Sequence, residues 1–153
     1  MPRLSQLMIR TALLWLALGY TVGGVVLLNK GVPLLPWLWV LRTAHIHMLL
    51  VGWTVQFACG VAFWILPRLD ARGARGNERL AWCCYAALNS AVLLGVLADP
   101  LAALDGGSFR ILRMMLPTLM GLIYLLAAAL FVTHAWPRVV SFRTIPRPTR
   151  DLH

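Results

Sequence analysis

Apolar residues in this chain fall into four long runs, and most of the charged residues sit in the joints between them. The runs cover about Leu7–Leu28, Leu38–Leu66, Leu80–Ala98 and Ile111–His134. Each is near the roughly 20 residues that an apolar helix needs to cross a bilayer. Their stops are clear. Lys30, Gly31, Pro33 and Pro36 close the first run, and Pro67-Arg68 with the stretch from Asp70 to Arg79 closes the second. Asp99-Pro100 closes the third, and Trp136-Pro137-Arg138 closes the fourth. Proline and glycine break helices at such joints. The pattern predicts an all-α membrane protein of four transmembrane helices in an antiparallel bundle. Residues 1–138 form the four-helix domain. Residues 139–153 form a polar tail with Pro146, Pro148 and three arginines. The first run lacks a small-residue cleavage site followed by a soluble domain, so it reads as a retained helix.

Composition agrees with that reading. Hydrophobic residues make up 60% of the chain and charged residues 12%, against roughly 25% charge in an ordinary soluble domain. The formal charge of +9 raises the question of nucleic acid. The arginines, however, lie between and after apolar runs, which is a topology signal rather than a binding patch. The N-terminus, the loop after the second run and the tail, with Arg138 counted in it, together hold ten Lys and Arg residues, and the other side holds four. Both termini are therefore expected in the cytoplasm, with the chain in a bacterial inner membrane. Trp37, Trp39, Trp64, Trp82 and Trp136 lie near run ends, where amphipathic rings favour the interface.

Packing signals are generic. Gly19 and Gly23 are spaced four apart, as are Gly52, Gln56 and Gly60, a spacing that lets helices approach closely. Pro117 is expected to kink the fourth helix. Cys59, Cys83 and Cys84 sit in apolar runs without a metal-binding spacing and read as small buried hydrophobes.

The chemistry concentrates in Arg42-Thr-Ala-His45-Ile-His47 at the start of the second helix. Imidazoles in a membrane helix are costly and invite a functional reading. The two histidines are about 200° apart around a helix, so they do not ligate one metal together. Gly52, Gln56 and Cys59 fall within about 40° of His45. His45 thus heads a stripe of small and polar groups, and Gly52 leaves room there for a flat macrocycle. The face of His47 continues through Thr54, Ala58, Val61 and Ile65, which suit lipid. His45 is accordingly the candidate ligand of a haem iron. His134, at the other end of the fourth run, lies roughly 30 Å away in depth, as an interfacial side chain or the ligand of a second site. Met114 and Met115 are better-placed partners for His45, as is His45 of a second protomer. No buried carboxylate and no P-loop, nucleophile-elbow or metalloprotease pattern is present, so catalysis by this chain alone is not expected.

The segment from Arg42 to Pro67, 26 of the 153 residues, resembles the low-spin-haem helix of subunit I in haem-copper oxidases. It looks closest to the nitric-oxide reductase and cbb3-type branch, whose helix reads roughly R-x-x-H-x-N-x-x-x-x-x-W and closes Y-x-x-P. Arg42, His45, Trp53 and Pro67 match. His47 stands where the family has Asn, and Trp64 where it has Tyr. The resemblance implies haem b on His45 and places the family's ligating histidine there. It also implies a short relative or accessory of a respiratory oxidoreductase, because the further histidines and spans of the catalytic subunits are missing. The partners expected are lipid bilayer, a second copy or a larger respiratory complex, and no nucleic acid. Two rival readings stay open. One is a cofactor-free structural subunit. The other is a copper-handling protein using His45, His47 and the methionines, since soft sulfur ligands suit Cu(I).

Overall fold

The computed structural model describes residues 1–33, 35–69, 75–104 and 110–140. The protein is all-helical over these residues, and four helices are long and apolar enough to cross a membrane. Helix α1 runs Arg3–Gly31. The second span, Pro36–Ile65, is composite. It opens with a 3-10 turn at Pro36–Val40 and continues as α2, Leu41–His47. It then widens into a π-helix at Met48–Val55 and closes as α3, Gln56–Ile65. Helix α4 covers Glu78–Leu104 and α5 covers Arg110–Val140.

The helix ends follow local chemistry. Pro36 opens the 3-10 turn, where a missing N–H costs nothing. The Asn77 side-chain oxygen accepts from the Arg79 N–H at 3.1 Å and caps α4. Two expected stops are overridden. Helix α4 continues through Pro100 to Leu104, and α5 continues through Pro137 to Val140. A proline removes one backbone bond but tolerates a helix whose other bonds are kept. Thr118 and Thr133 hydroxyls bond back to Met114 and Ala129 carbonyls at 3.0 and 2.7 Å, further supporting α5. The tail beyond Val140 lies outside the described residues, as do Asp70, Arg72 and Asp105.

The outer faces of the spans are apolar where those of a soluble domain are polar, while the buried set is apolar with a few polar groups. Large apolar side chains face outward along every span, including Leu14, Leu27, Leu125 and Ile111. The buried set includes Ser5, Gln56, His134 and Arg138. That is the solution expected when the solvent is hydrocarbon and polar groups must find partners inside. Helix α1 packs on the second span, and α4 packs between the second span and α5. Two core clusters lie between them. One gathers Leu4, Met8, Phe63, Cys84 and Ala127, and the other gathers Trp15, Ala44, Met48 and Val92. Polar bonds stitch the helices together: Ser5 Oγ donates to the Gly60 carbonyl at 2.6 Å, and Trp15 Nε1 donates to Asn89 Oδ1 at 2.9 Å. Thr11 and Tyr85 hydroxyls meet at 3.0 Å.

Arg138 corrects the topology reading in one respect. It counts there as a tail charge, but it lies inside α5 and is only 1% exposed. Its guanidinium donates to the carbonyls of Phe63, Leu66 and Pro67 at 3.1, 2.6 and 3.0 Å. These are acceptors left open where α3 ends. The Phe63 ring lies 5.5 Å below the guanidinium carbon, a cation–π distance. Replacing Arg138 by Met keeps the aliphatic stem and orphans those carbonyls. The expected loss is about 2–4 kcal/mol, read as a lower thermal unfolding midpoint in detergent micelles. An unchanged midpoint would show that the guanidinium contributes nothing to stability.

Candidate functional site

His45 and His47 leave the second span in different directions, as their spacing requires. The His45 ring lies on α1, with Nδ1 2.8 Å from the Gly19 carbonyl oxygen. A carbonyl only accepts, so Nδ1 carries the proton and Nε2 holds the lone pair. No hydrogen bond from a described residue reaches Nε2, and the side chain is half-buried. The ring occupies the place that a Cβ at Gly23 would take. Only glycine lets the two helices close to this distance.

His47 departs from its expected lipid-compatible face. Its ring sits over Gly95 of α4, and its Nδ1 is 3.2 Å from the Tyr124 hydroxyl of α5. The rings of His47 and Tyr124 stack at 6.0 Å. The π-helix that follows His47 decides which later residues share its face. Thr54 Oγ bonds to the Leu49 carbonyl five residues back, the spacing of a wide turn. In a regular helix, positions 47, 51, 55 and 59 would drift by about 120°. With the wide turn they stay on one side, facing α4 and α5. The same shift moves Cys59 off the His45 stripe. The face toward α1 is instead His45, Leu49, Gly52, Gln56 and Gly60.

The predicted haem slot is filled. A Cβ at Gly52 would collide with Trp15 of α1, so the room beside Gly52 is already used. Gln56 is fully buried, with Nε2 donating to the Met8 carbonyl at 3.2 Å. Its Oε1 has no partner. Met114 and Met115 project from α5 with 61% and 56% of their surface exposed, and the structure does not bring them to His45 on α1. His134 packs on Phe63 with ring centroids 5.2 Å apart. Arg138 donates to its Nε2 at 3.2 Å, so Nδ1 is the protonated nitrogen and donates to the Asn77 carbonyl at 3.1 Å. Both nitrogens are occupied, which argues against a ligand role for His134.

Among the described residues no three His, Cys, Asp or Glu side chains converge as a metal group. His45 is thus the predicted histidine whose tautomer a carbonyl fixes while its Nε2 meets no donor among the described residues. The Tyr124 hydroxyl, which can donate or accept, leaves the tautomer of His47 open. Reading the sequence alone missed Arg138, Asn77 and Tyr124 as histidine partners. An Arg four residues after His134 was a usable helical-spacing signal. The carbonyl partners and the π-helix left no such mark. Comparison with protein-family models, with curated proteins and with solved structures finds no match.

The glycine contacts carry a paired test. Gly23→Ala should displace the His45 ring, break its bond to Gly19 and cost about 1–3 kcal/mol. Gly24→Ala, which meets open space, should be neutral or gain about 0.5–1 kcal/mol from helix propensity. Unfolding midpoints of the two variants in one detergent decide it, and equal midpoints would refute the close fit of His45 on Gly23.

Proposed function

We propose that the protein is a small multi-pass subunit of a respiratory oxidoreductase in a bacterial inner membrane, presenting His45 as a haem ligand. In this reading the four spans form an antiparallel bundle with both termini in the cytoplasm, consistent with a bias of Lys and Arg that stays nine to four once buried Arg138 is set aside. The observation that carries the haem assignment is the state of the His45 imidazole. Its Nδ1 proton is given to a backbone carbonyl, the arrangement that orients a ligating histidine and leaves Nε2 for the metal. The resemblance of Arg42–Pro67 to a haem helix points to the same nitrogen.

The fit is partial, and this shapes the proposal. The described residues give one imidazole, His45, whose tautomer a carbonyl fixes with Nε2 left over, and no enclosed slot beside it, because Trp15 fills the space at Gly52. A haem on His45 therefore belongs at the surface of the bundle, with its second face completed by a partner or a second copy. Such a group would supply one-electron transfer. The chain's own part is to fix the ring by the Gly19 bond and the Gly23 contact. A cofactor-free structural subunit is the second reading. It is favoured by the use of both imidazoles to fill glycine notches.

The two readings separate in a visible spectrum. Protein purified in mild detergent from haem-replete cells should show a Soret band that shifts on dithionite reduction. His45→Ala should abolish the band, and His134→Gln should keep it. A folded, colourless preparation would sink the haem assignment and leave the structural reading. Co-purification with oxidoreductase subunits tests the accessory role separately.

A further inference from the structure

Cys59 of α3 and Cys84 of α4 are both buried and belong to one hydrophobic cluster. The same two side chains line a groove of about 410 Å³ between the second span, α4 and α5. Its other walls include Val51, Val55, Leu88 and Phe131. The volume falls within the roughly 300–1,000 Å³ of small-molecule sites. Tyr124 also lines the groove and brings a hydroxyl, bonded to His47. Cys83, next along the chain, is exposed and takes no part in the groove.

We infer that Cys59 and Cys84 form a membrane-buried dithiol that closes into a disulfide when an uncharged, lipid-soluble quinone enters this groove. Three features select that chemistry. The thiols come from different helices that pack together, share one buried cluster and open onto one groove, so a bond between them closes across an existing helix contact. A disulfide is neutral, whereas Cu(I) held by two thiolates would leave net negative charge in an apolar surround, which is costly, and a divalent ion would find no third His, Cys, Asp or Glu ligand among the described residues. The apolar walls likewise exclude charged aqueous oxidants, while the Tyr124 hydroxyl, when His47 Nδ1 donates to its oxygen, keeps its own proton for a carbonyl oxygen on an apolar ring. In the step, both S–H bonds break and one S–S bond forms. Two electrons and two protons pass to the quinone, which leaves as hydroquinone. This inference rests on the membrane reading of the chain and is independent of haem.

The test uses the full chain with Cys83→Ala in phosphatidylcholine vesicles under argon. The probe is a short-tailed, fully substituted benzoquinone, whose ring carries no open position for thiol addition. The chain has three cysteines, so two remain. Both should lose maleimide reactivity in the denatured protein, with the loss of two hydrogens in intact mass and one hydroquinone released per chain. Oxidised glutathione should leave both thiols free. Cys59→Ser and Cys84→Ser should each abolish hydroquinone release. Two free thiols after quinone treatment would overturn the inference, and this outcome needs only the Cys83→Ala protein. So would disulfide-linked dimers in place of the internal bond, or quinone reduction that persists in either single variant.

Discussion

The structure depends most on how the carbonyl groups at the end of α3 are satisfied. A helix leaves its last carbonyls open, and in hydrocarbon each unpaired one costs several kcal/mol. Arg138 meets three of them at once and also fixes His134. His134 in turn holds the Asn77 carbonyl, just ahead of α4. One guanidinium thereby ties together the end of the second span, the start of α4 and the end of α5. Burial of the charge is tolerable because its donors face carbonyl oxygens and an imidazole nitrogen rather than lipid. The passage of α5 through Pro137 follows from the same need, since a helix that stopped there would not carry Arg138 to the α3 terminus.

The second span shows the same logic applied to packing. Its glycines are notches, and each is filled by a particular side chain. Trp15 enters at Gly52, Met8 and Ile9 lie at Gly60, and His45 fills the notch of Gly23 on α1. Trp15 also reaches Asn89 of α4, so a single ring closes the space between α1 and the second span while bonding a third helix. The π-helix makes these contacts simultaneous with those of His47. Without the wide turn, the residues facing α4 and α5 would rotate progressively toward lipid.

The spans were legible in the sequence because each long apolar run must become a helix in hydrocarbon, whatever its partners. The opposite directions of His45 and His47 were legible too, since their two-residue spacing sets them apart in a helix with or without the wide turn. What was not legible was the register beyond Met48. Nothing in Met-Leu-Leu-Val-Gly-Trp-Thr-Val marks a π-turn, so Cys59 was placed on the wrong face and the room at Gly52 was taken as free. Pro100 and Pro137 misled for a different reason. Proline signals a helix stop only where tertiary bonds do not reward continuation, and those bonds are invisible to local pattern. The partners of His134 were hidden likewise, because they are a backbone carbonyl and an arginine that counted as a topology charge.

Where the small residues are used bears on the proposed accessory role. Gly19, Gly23, Gly52, Gly60 and Gly95 are all occupied by side chains of the same chain. Gly24 on α1 and Gly121 on α5 meet nothing. A glycine on a lipid-facing surface costs helix stability relative to alanine, and a close approach by another helix offsets that cost. Helix α5 is also the least covered of the spans, with only 6% of its apolar window buried. A subunit that worked alone would gain nothing from an open notch on such a face. Under the proposed accessory role, an occupant for that notch would explain both the glycine and the exposure.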